Sequence, residues 1–310
     1  MVDPKLYSLI KVYETGSFTK AASQLSLTQP AVSQHIQSLE KSLGLKIFER
    51  SSNTLRVTRE GELVVKCARR MLSLYNNLKD ELVNEKRSLT NMTVGVTHTA
   101  ESNPFAEALA KYAHAHDNVT VKMISDASSV LYTRLKNYEL DFAIVEGRIP
   151  DPSLDFLLLD TDCLVLAVPP AHRLADNRIV SISDLKKERL ILRLPESNTR
   201  NLFVASLESK NMRMDEFNVV MEIDNIATIK DLVRREFGVS VLAKSACLDE
   251  LHKKKLVLLP IENLTMAREI NLVYKKDFDH PDVLKEIVSD YNEVRGDFIN
   301  TPLFSVIAEE

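Results

Sequence analysis

Between Gln29 and Gln37 the chain sets Gln29, Pro30, Ser33, Gln34 and Gln37 among the apolar residues Val32, Ile36 and Leu39. The polar members are short and uncharged. A glutamine amide bonds two groups of a base edge at once, a serine hydroxyl donates or accepts, and a proline ring can touch a thymine methyl, which together suit major-groove readout of a duplex. The same residue types also occur on ordinary solvated helix faces, so their neighbours must decide. Elsewhere, hydroxyl and amide groups collect at Thr97–Ser102, Ser125–Ser129, Ser197–Thr199 and Asn225–Thr228. Each cluster follows an apolar run and precedes a helical pattern, where such side chains cap helices or bind a ligand, and both roles can coexist.

Catalytic signatures are missing: the sequence has no GxSxG elbow, phosphate loop, GxGxxG or HExxH. His114 and His116 stand two apart, so they point to different faces of one helix. Cys67, Cys163 and Cys247 form no CxxC pair and are read as free, buried thiols of a reducing compartment. The chain is therefore read as a non-enzyme without metal or cofactor.

The elements that position the first cluster are short helices. Leu6, Leu9, Ile10 and Tyr13 recur at helical spacing up to Gly16, Ser17 caps a second helix carrying Ala21, Ala22 and Leu25, and Gln29-Pro30 opens a third that Gly44 ends. LKIFER and TLRVT, joined by Ser51-Ser52-Asn53, predict a hairpin. Thr58 then caps a long helix reaching about Ser88. Along it Val64, Cys67, Met71, Leu74, Leu78 and Leu82 make one apolar stripe of near-heptad spacing, which calls for a partner helix or for packing on its own chain.

After Thr90 the texture changes to alternating strands and helices: MTVGV, VTVKMI and DFAIV in a first series, then segments near 190–194, 217–223 and 239–242 in a second. CLVLAV near 163 and EINLVYK near 270 read as strands crossing between two α/β lobes, with a closing helix over 281–299. In such a clamshell the ligand lies in the cleft at the strand ends. That placement nominates Thr97, His98, Thr99, Ser128, Ser197, Asn198, Thr199 and Asn225, and adds Glu146 at the end of DFAIV. A carboxylate there repels an anionic ligand unless Arg148, Arg200 or His98 offsets it.

With 310 residues the chain exceeds one ordinary core, and 45% hydrophobic with 27% charged residues is a globular composition. Its net charge of −4 conceals an asymmetry. Residues 1–89 hold 14 Lys and Arg against 9 Asp and Glu, a balance of +5; the remaining 26 and 35 leave −9. A basic head on an acidic body fits a local phosphate contact. The N-terminus lacks an apolar signal core, and no run approaches the ~20 apolar residues of a membrane span, so a cytoplasmic protein is expected.

Across Leu6–Gly61 the sequence resembles the LysR-type transcriptional regulators: a GSF start, Ala21-Ala22, TQPAVSQHI, Leu39-Glu40, Leu43-Gly44, Phe48–Arg50 and Thr58-x-x-Gly61. The rest matches the family more loosely, through VTVKM, ELDFAIVEG, HRLA and FGVSVL. The resemblance implies an α+β multidomain chain: a winged helix-turn-helix DNA-binding domain (1–58), a linker or dimerisation helix (59–89), and a two-lobed α/β, periplasmic-binding-protein-like effector domain (90–310; lobe I about 90–162 and 268–300, lobe II about 163–267). It makes 29–43 the recognition helix, with Gln29, Pro30, Ser33, Gln34 and Gln37 towards the bases. Arg50 and Arg56 become wing anchors on phosphate or in the minor groove. Asn53 departs from the basic wing tip common in the family. Among the cleft residues, Thr99 and Ser128 match positions that bond the effector. Implied partners are dyad-related duplex DNA, a small-molecule effector, further copies in a dimer of dimers, and RNA polymerase. Two other readings stay open on the residues alone: a small-molecule-binding protein or enzyme with a non-functional DNA-binding head, and an adaptor dimerising through the long helix.

Overall fold

The computed structural model describes residues 3–51, 54–87, 90–102, 104–117, 119–278 and 280–299. The chain divides into two compact units, one built on the residues up to Asn91 with Lys136–Glu139, the other on Met92–Leu135 and the residues from Leu140 onward.

In the first unit, α1 (Lys5–Thr15) stops where Gly16 turns left-handed, with φ 61°, and returns its N–H to the Val12 carbonyl. The Ser17 hydroxyl accepts the Lys20 amide and starts α2 (Phe18–Gln24). Thr28 accepts the Ala31 amide and starts α3 (Gln29–Leu43), whose first turn holds Pro30. Leu9, Val12, Ala21, Ala22, Val32, Ile36 and Leu39 bury one another; the two alanines, fully enclosed, let the helices approach. Leu25, expected inside, is only half-buried. β1 (Phe48–Ser51) and β2 (Thr54–Val57) pair antiparallel, with Phe48 opposite Val57.

α4 (Arg59–Arg87) begins on the Thr58 hydroxyl, which accepts the Gly61 amide at 2.9 Å. A side chain at Gly61 would lie 2.3 Å from the Ile47 carbonyl oxygen and 2.8 Å from Val57 Cγ2. Only glycine therefore lets the helix start against the hairpin. α4 carries two apolar faces rather than one stripe. Val65, Ala68 and Leu72 are buried, Val65 and Ala68 in the core of the three helices, whereas Met71, Leu74, Leu78 and Leu82 are exposed along the 29-residue helix, ~43 Å at 1.5 Å per residue. Val64 belongs partly to the buried side.

The second unit opens with β3 (Thr90–Val96), α5 (Phe105–Ala115), β4 (Val119–Ser125), α6 (Ser128–Lys136) and β5 (Phe142–Glu146). β5 lies parallel beside β3, with β4 on the other flank of β3. β6 (Leu154–Val168) follows, then α7 (Ile182–Leu185), β7 (Leu190–Arg193), α8 (Asn198–Glu208), β8 (Val219–Ile223) and α9 (Ile226–Arg234). β9 (Ser240–Ala243), α10 (Leu248–His252), β10 (Val257–Leu259), β11 (Ala267–Lys275) and α11 (Pro281–Ile299) complete the order. β6 and β11 are the crossing strands. They pair antiparallel from Leu154 opposite Lys275 to Cys163 opposite Ala267, and β6 continues beside β9 and β10 into the second lobe.

The expected crossing strand began at Cys163, but β6 starts at Leu154. Its first half holds the apolar run Phe156–Leu159, which the acidic residues Asp155, Asp160 and Asp162 set apart from the stretch after Cys163. In the first lobe Val94, Val96, Phe105, Ile144, Leu272, Ile287 and Tyr291 pack on one sheet face, and Leu131, Leu135, Val145 and Val273 on the other. The second lobe repeats the scheme with Leu166, Leu190, Leu192 and Phe203 against Ile229, Val233 and Leu242. Sheets covered on both faces hold their strand ends rigidly, which is where the cleft residues sit. One expectation about the cysteines is corrected. Cys247 is buried and its thiol is pushed up to about 12 by that burial, but Cys163 is half-buried and Cys67 lies exposed on α4.

Candidate functional site

Gln29, Pro30, Gln34 and Gln37 are exposed and Ser33 is half-buried, while Val32, Ile36 and Leu39 on the opposite side of α3 are enclosed. The helix thus shows solvent a polar, uncharged face on a rigid backing. Its seat is fixed by hydrogen bonds as well as by packing. His35 Nδ1 is 2.7 Å from the Ser8 hydroxyl of α1. Glu40, one turn before the end of α3, accepts the Ile47 amide at 2.9 Å, the Phe48 amide at 3.3 Å and the Lys46 ammonium at 2.7 Å. Burial alone would raise the Glu40 carboxyl; the hydrogen bonds from Lys46 and the two amides outweigh it and hold the group below its ordinary value. Glu40 therefore fastens the hairpin to α3, a role the sequence motif did not reveal. Between α3 and the hairpin lies a hollow of about 270 Å³ lined by Gln29, Ser33, Gln37, Lys46 and Phe48. Arg56 projects from β2 and is exposed. The Arg50 side chain and Asn53 lie outside the described residues.

In the second unit the strand ends of the two lobes face one cavity of about 290 Å³. Thr97, His98, Thr99, Ser128, Glu146, Ser197 and Asn198 line it, seven of the nine residues nominated from sequence. Contacts cross the cleft: Asn198 Nδ2 donates to Ser128 Oγ at 2.8 Å, the Thr99 and Thr199 hydroxyls are 3.4 Å apart, and His98 Nε2 stands 3.8 Å from the Asp224 carboxylate. Thr199 is buried behind the wall, where Arg268 donates to it at 3.4 Å. Asn225 is a correction. Its side chain accepts the Thr228 amide at 2.9 Å, capping α9, and it does not line the cavity.

Asp126 and Ser129 of the 125–129 cluster also line the cavity, and so do Arg193, Glu196 and Asp224, which sequence reasoning missed. Arg193 ends the otherwise apolar strand LILR, and a guanidinium closing such a run was the available signal. One of its terminal nitrogens donates to Asp224 at 2.8 Å, while Nε and Nη1 are buried without a partner among the described residues. Glu146 accepts from the Thr97 hydroxyl at 2.6 Å through one oxygen; its other oxygen, Oε2, is buried and unpaired among the described residues. Burial raises the Glu146 carboxyl above its ordinary value, and the opposing pull of Arg268 and of the Thr97 bond is insufficient to reverse it. The cation acting on Glu146 is thus Arg268 on β11 rather than Arg148, Arg200 or His98; Arg200 is engaged with Glu222 at 3.1 Å. A larger hollow of about 610 Å³ beside β6 and β10 is walled by Leu164, Leu256, Leu258 and Met266. Its lining is mostly apolar, with Lys244, Lys254 and Thr265 among the few polar members, whereas the cleft gathers hydroxyl, amide and charged groups from both lobes, so the cleft is the stronger candidate.

Comparison with known proteins agrees with this division. The family described as "Bacterial regulatory helix-turn-helix protein, lysR family" matches residues 5–62, and that described as "LysR substrate binding domain" matches residues 90–289. A probable RuBisCO transcriptional regulator of Emiliania huxleyi is 26% identical over 288 residues, covering 91% of each chain. The HTH-type transcriptional regulator CysL of Bacillus subtilis is 26% identical, covering 87% of this chain and 89% of its own. Full-length CbnR, solved in complex with its target DNA, superposes with a TM-score of 0.67 at 18% identity, over 95% of this chain and all of that one. Among the described residues no helix is long and apolar enough to cross a membrane.

Proposed function

The chain belongs to the LysR family of DNA-binding transcriptional regulators with an effector-binding domain, and on that premise we propose how the work is divided along it. Residues 1–58 bind duplex DNA, 59–89 pair subunits, and 90–310 take the effector. Gln29, Pro30, Ser33, Gln34 and Gln37 read base edges from α3, and Arg50 and Arg56 hold the backbone through the wing. Two subunits join through the exposed leucine stripe of α4 and place two heads on dyad-related half-sites; pairs of dimers form the working tetramer. The effector binds among Thr97, His98, Thr99, Ser128, Glu146, Ser197 and Asn198, and by bridging the lobes it shifts the population between two spacings of the heads. RNA polymerase receives the signal. The protein acts in the cytoplasm and is not an enzyme.

The observation that carries this reading is the polar face of α3, open to solvent over a fully packed reverse side. Selection of genomic fragments by the purified protein tests it. One duplex class should be enriched, and the pair Gln29→Ala and Ser33→Ala should weaken binding to it by ~10- to 100-fold, since a good base contact is worth about 1–3 kcal/mol, while salt-sensitive binding to random duplex persists. Equal retention of all duplexes by the unaltered protein would remove the basis for the assignment.

A further inference from the structure

We propose that the effector is a small zwitterion of the α-amino-acid type, its ammonium received by Glu146 in one lobe and its carboxylate by Arg193 in the other. This rests on the reading of the cleft as the effector site and adds the ligand's chemical class. Two buried, incompletely bonded charged groups face the same cavity from opposite lobes. The Arg193 side chain is 3% exposed, with Nε and Nη1 unpartnered; Glu146 is 4% exposed, with Oε2 unpartnered. A buried donor wants an acceptor and a buried carboxylate oxygen wants a donor, each leaving a cost of desolvation until it is met.

No simpler ion meets both needs. A plain carboxylate or phosphate would satisfy Arg193 but face Glu146, Asp126, Glu196 and Asp224, which line the cavity against that one guanidinium. An amine without an acid would suit the carboxylates and leave the Arg193 donors buried and unmet. A divalent metal is not served, since among the described residues no three His, Cys, Asp or Glu converge to hold one. The polarity within the cleft fits the bipolar molecule further. α8 starts at Asn198 after the Ser197 cap, in the same lobe as Arg193, so its N-terminus and the guanidinium favour the carboxylate together. The volume of about 290 Å³ is at the small end for ligand sites, which restricts the molecule to metabolite size.

The test is calorimetric titration of the intact protein with each of the twenty L-α-amino acids, and with propionate and ethylamine as single-charge controls. At least one amino acid should bind, and both controls should be weaker by ~30-fold or more, because each lacks one charge-assisted bond. Glu146→Gln keeps an acceptor for Thr97 and should weaken the amino acid by ~10- to 100-fold, as should Arg193→Gln, with both variants melting cooperatively and still binding DNA. Propionate binding as tightly as the amino acids, with Glu146→Gln silent, would overturn the zwitterion and leave the cleft as an anion site. Binding indifferent to Glu146→Gln, Arg193→Gln and Ser128→Ala alike would overturn the cleft assignment itself. Absence of binding by every amino acid also overturns the zwitterion, and the cleft assignment then stands or falls on a metabolite screen read against Ser128→Ala.

Discussion

Glu40 in the head and Glu146 in the cleft are the same residue type, Glu146 the more deeply enclosed, and their carboxyls move in opposite directions. Glu40 sits 9% exposed with three donors around it, so the charged form is favoured and the hairpin is fastened to α3. Glu146 has one hydroxyl donor and a more distant guanidinium, so burial prevails and the charge is unwelcome. Among the described residues of the head no buried side-chain polar atom lacks a partner, and the exposed face of α3 that we propose reads the duplex is made of neutral side chains. The cleft leaves Glu146 Oε2 and Arg193 Nε and Nη1 buried without a partner among the described residues, which suits the small enclosed ligand proposed for it. A surface that recognises by shape and pattern is stable before it binds; a pocket that recognises by charge carries the desolvation of its own groups until the ligand arrives.

The largest effect expected from this contrast concerns assembly. On the proposed division the head reads DNA in pairs whereas each cleft works within one chain, so the two functions should separate when subunits are parted. Leu78→Glu with Leu82→Glu places four charges in a paired stripe of α4. Sedimentation should show the species fall to monomer, and affinity for a duplex with both half-sites should drop by ~10²- to 10⁴-fold as the linked second contact is lost. Ligand affinity should hold. If it falls in step with DNA affinity, the clefts depend on assembly and the contrast fails.

Smaller, and confined to the head, is the loss expected from Glu40→Ala. It strips the Ile47 and Phe48 amides of their acceptor, a destabilisation of about 2–3 kcal/mol, to which the exposed Lys46 adds little. Since the folded carboxyl titrates below its unfolded value, the native contribution is complete above pH 4.5 and is lost as the pH falls through the lowered folded value. Amide exchange across β1 and β2 should therefore accelerate in the variant at neutral pH, and in the native protein only in acid.

The same contrast explains what could be read in advance. α1 to α4 were legible because each has a local stop signal: Gly16 and Gly44 in left-handed turns, Ser17, Thr28 and Thr58 as caps, and apolar spacing between them. The readout face followed by subtraction once the buried face was known. In the cleft, the hydroxyl clusters were legible as strand-to-helix turns, but that rule selects caps and ligand contacts alike, and Asn225 proved to be a cap. Arg193 and Asp224 are brought together with Glu146 only by the crossing of β6 and β11, a pairing over more than a hundred residues that periodicity does not encode. β6 was half hidden because acidic residues on either side of Phe156–Leu159 separate that run from the apolar stretch after Cys163. The buried side of α4 was missed for the converse reason: a near-heptad stripe drew attention to one face of a helix that carries two.

The smallest expected effect is also the one of opposite sign. Because the folded Glu146 carboxyl titrates above its unfolded value, the unliganded fold loses stability as the pH rises from the unfolded value through the folded one. Glu146→Gln removes the charge, retains an acceptor for Thr97, and leaves Arg268 its bonds to Thr199 and Asp162. The variant should be more stable than the native protein by about 1 kcal/mol at pH 7, raising the melting temperature of the effector unit by ~2–4 °C, with the gain vanishing near pH 4. Scanning calorimetry at the two pH values reads both numbers. A gain in stability paired with a loss of ligand affinity would mean that the cleft is held in readiness at the expense of its own fold. A loss of stability at pH 7 would mean instead that Arg268 already compensates Glu146, making it a structural ion partner like Glu40 and erasing the distinction between the two sites.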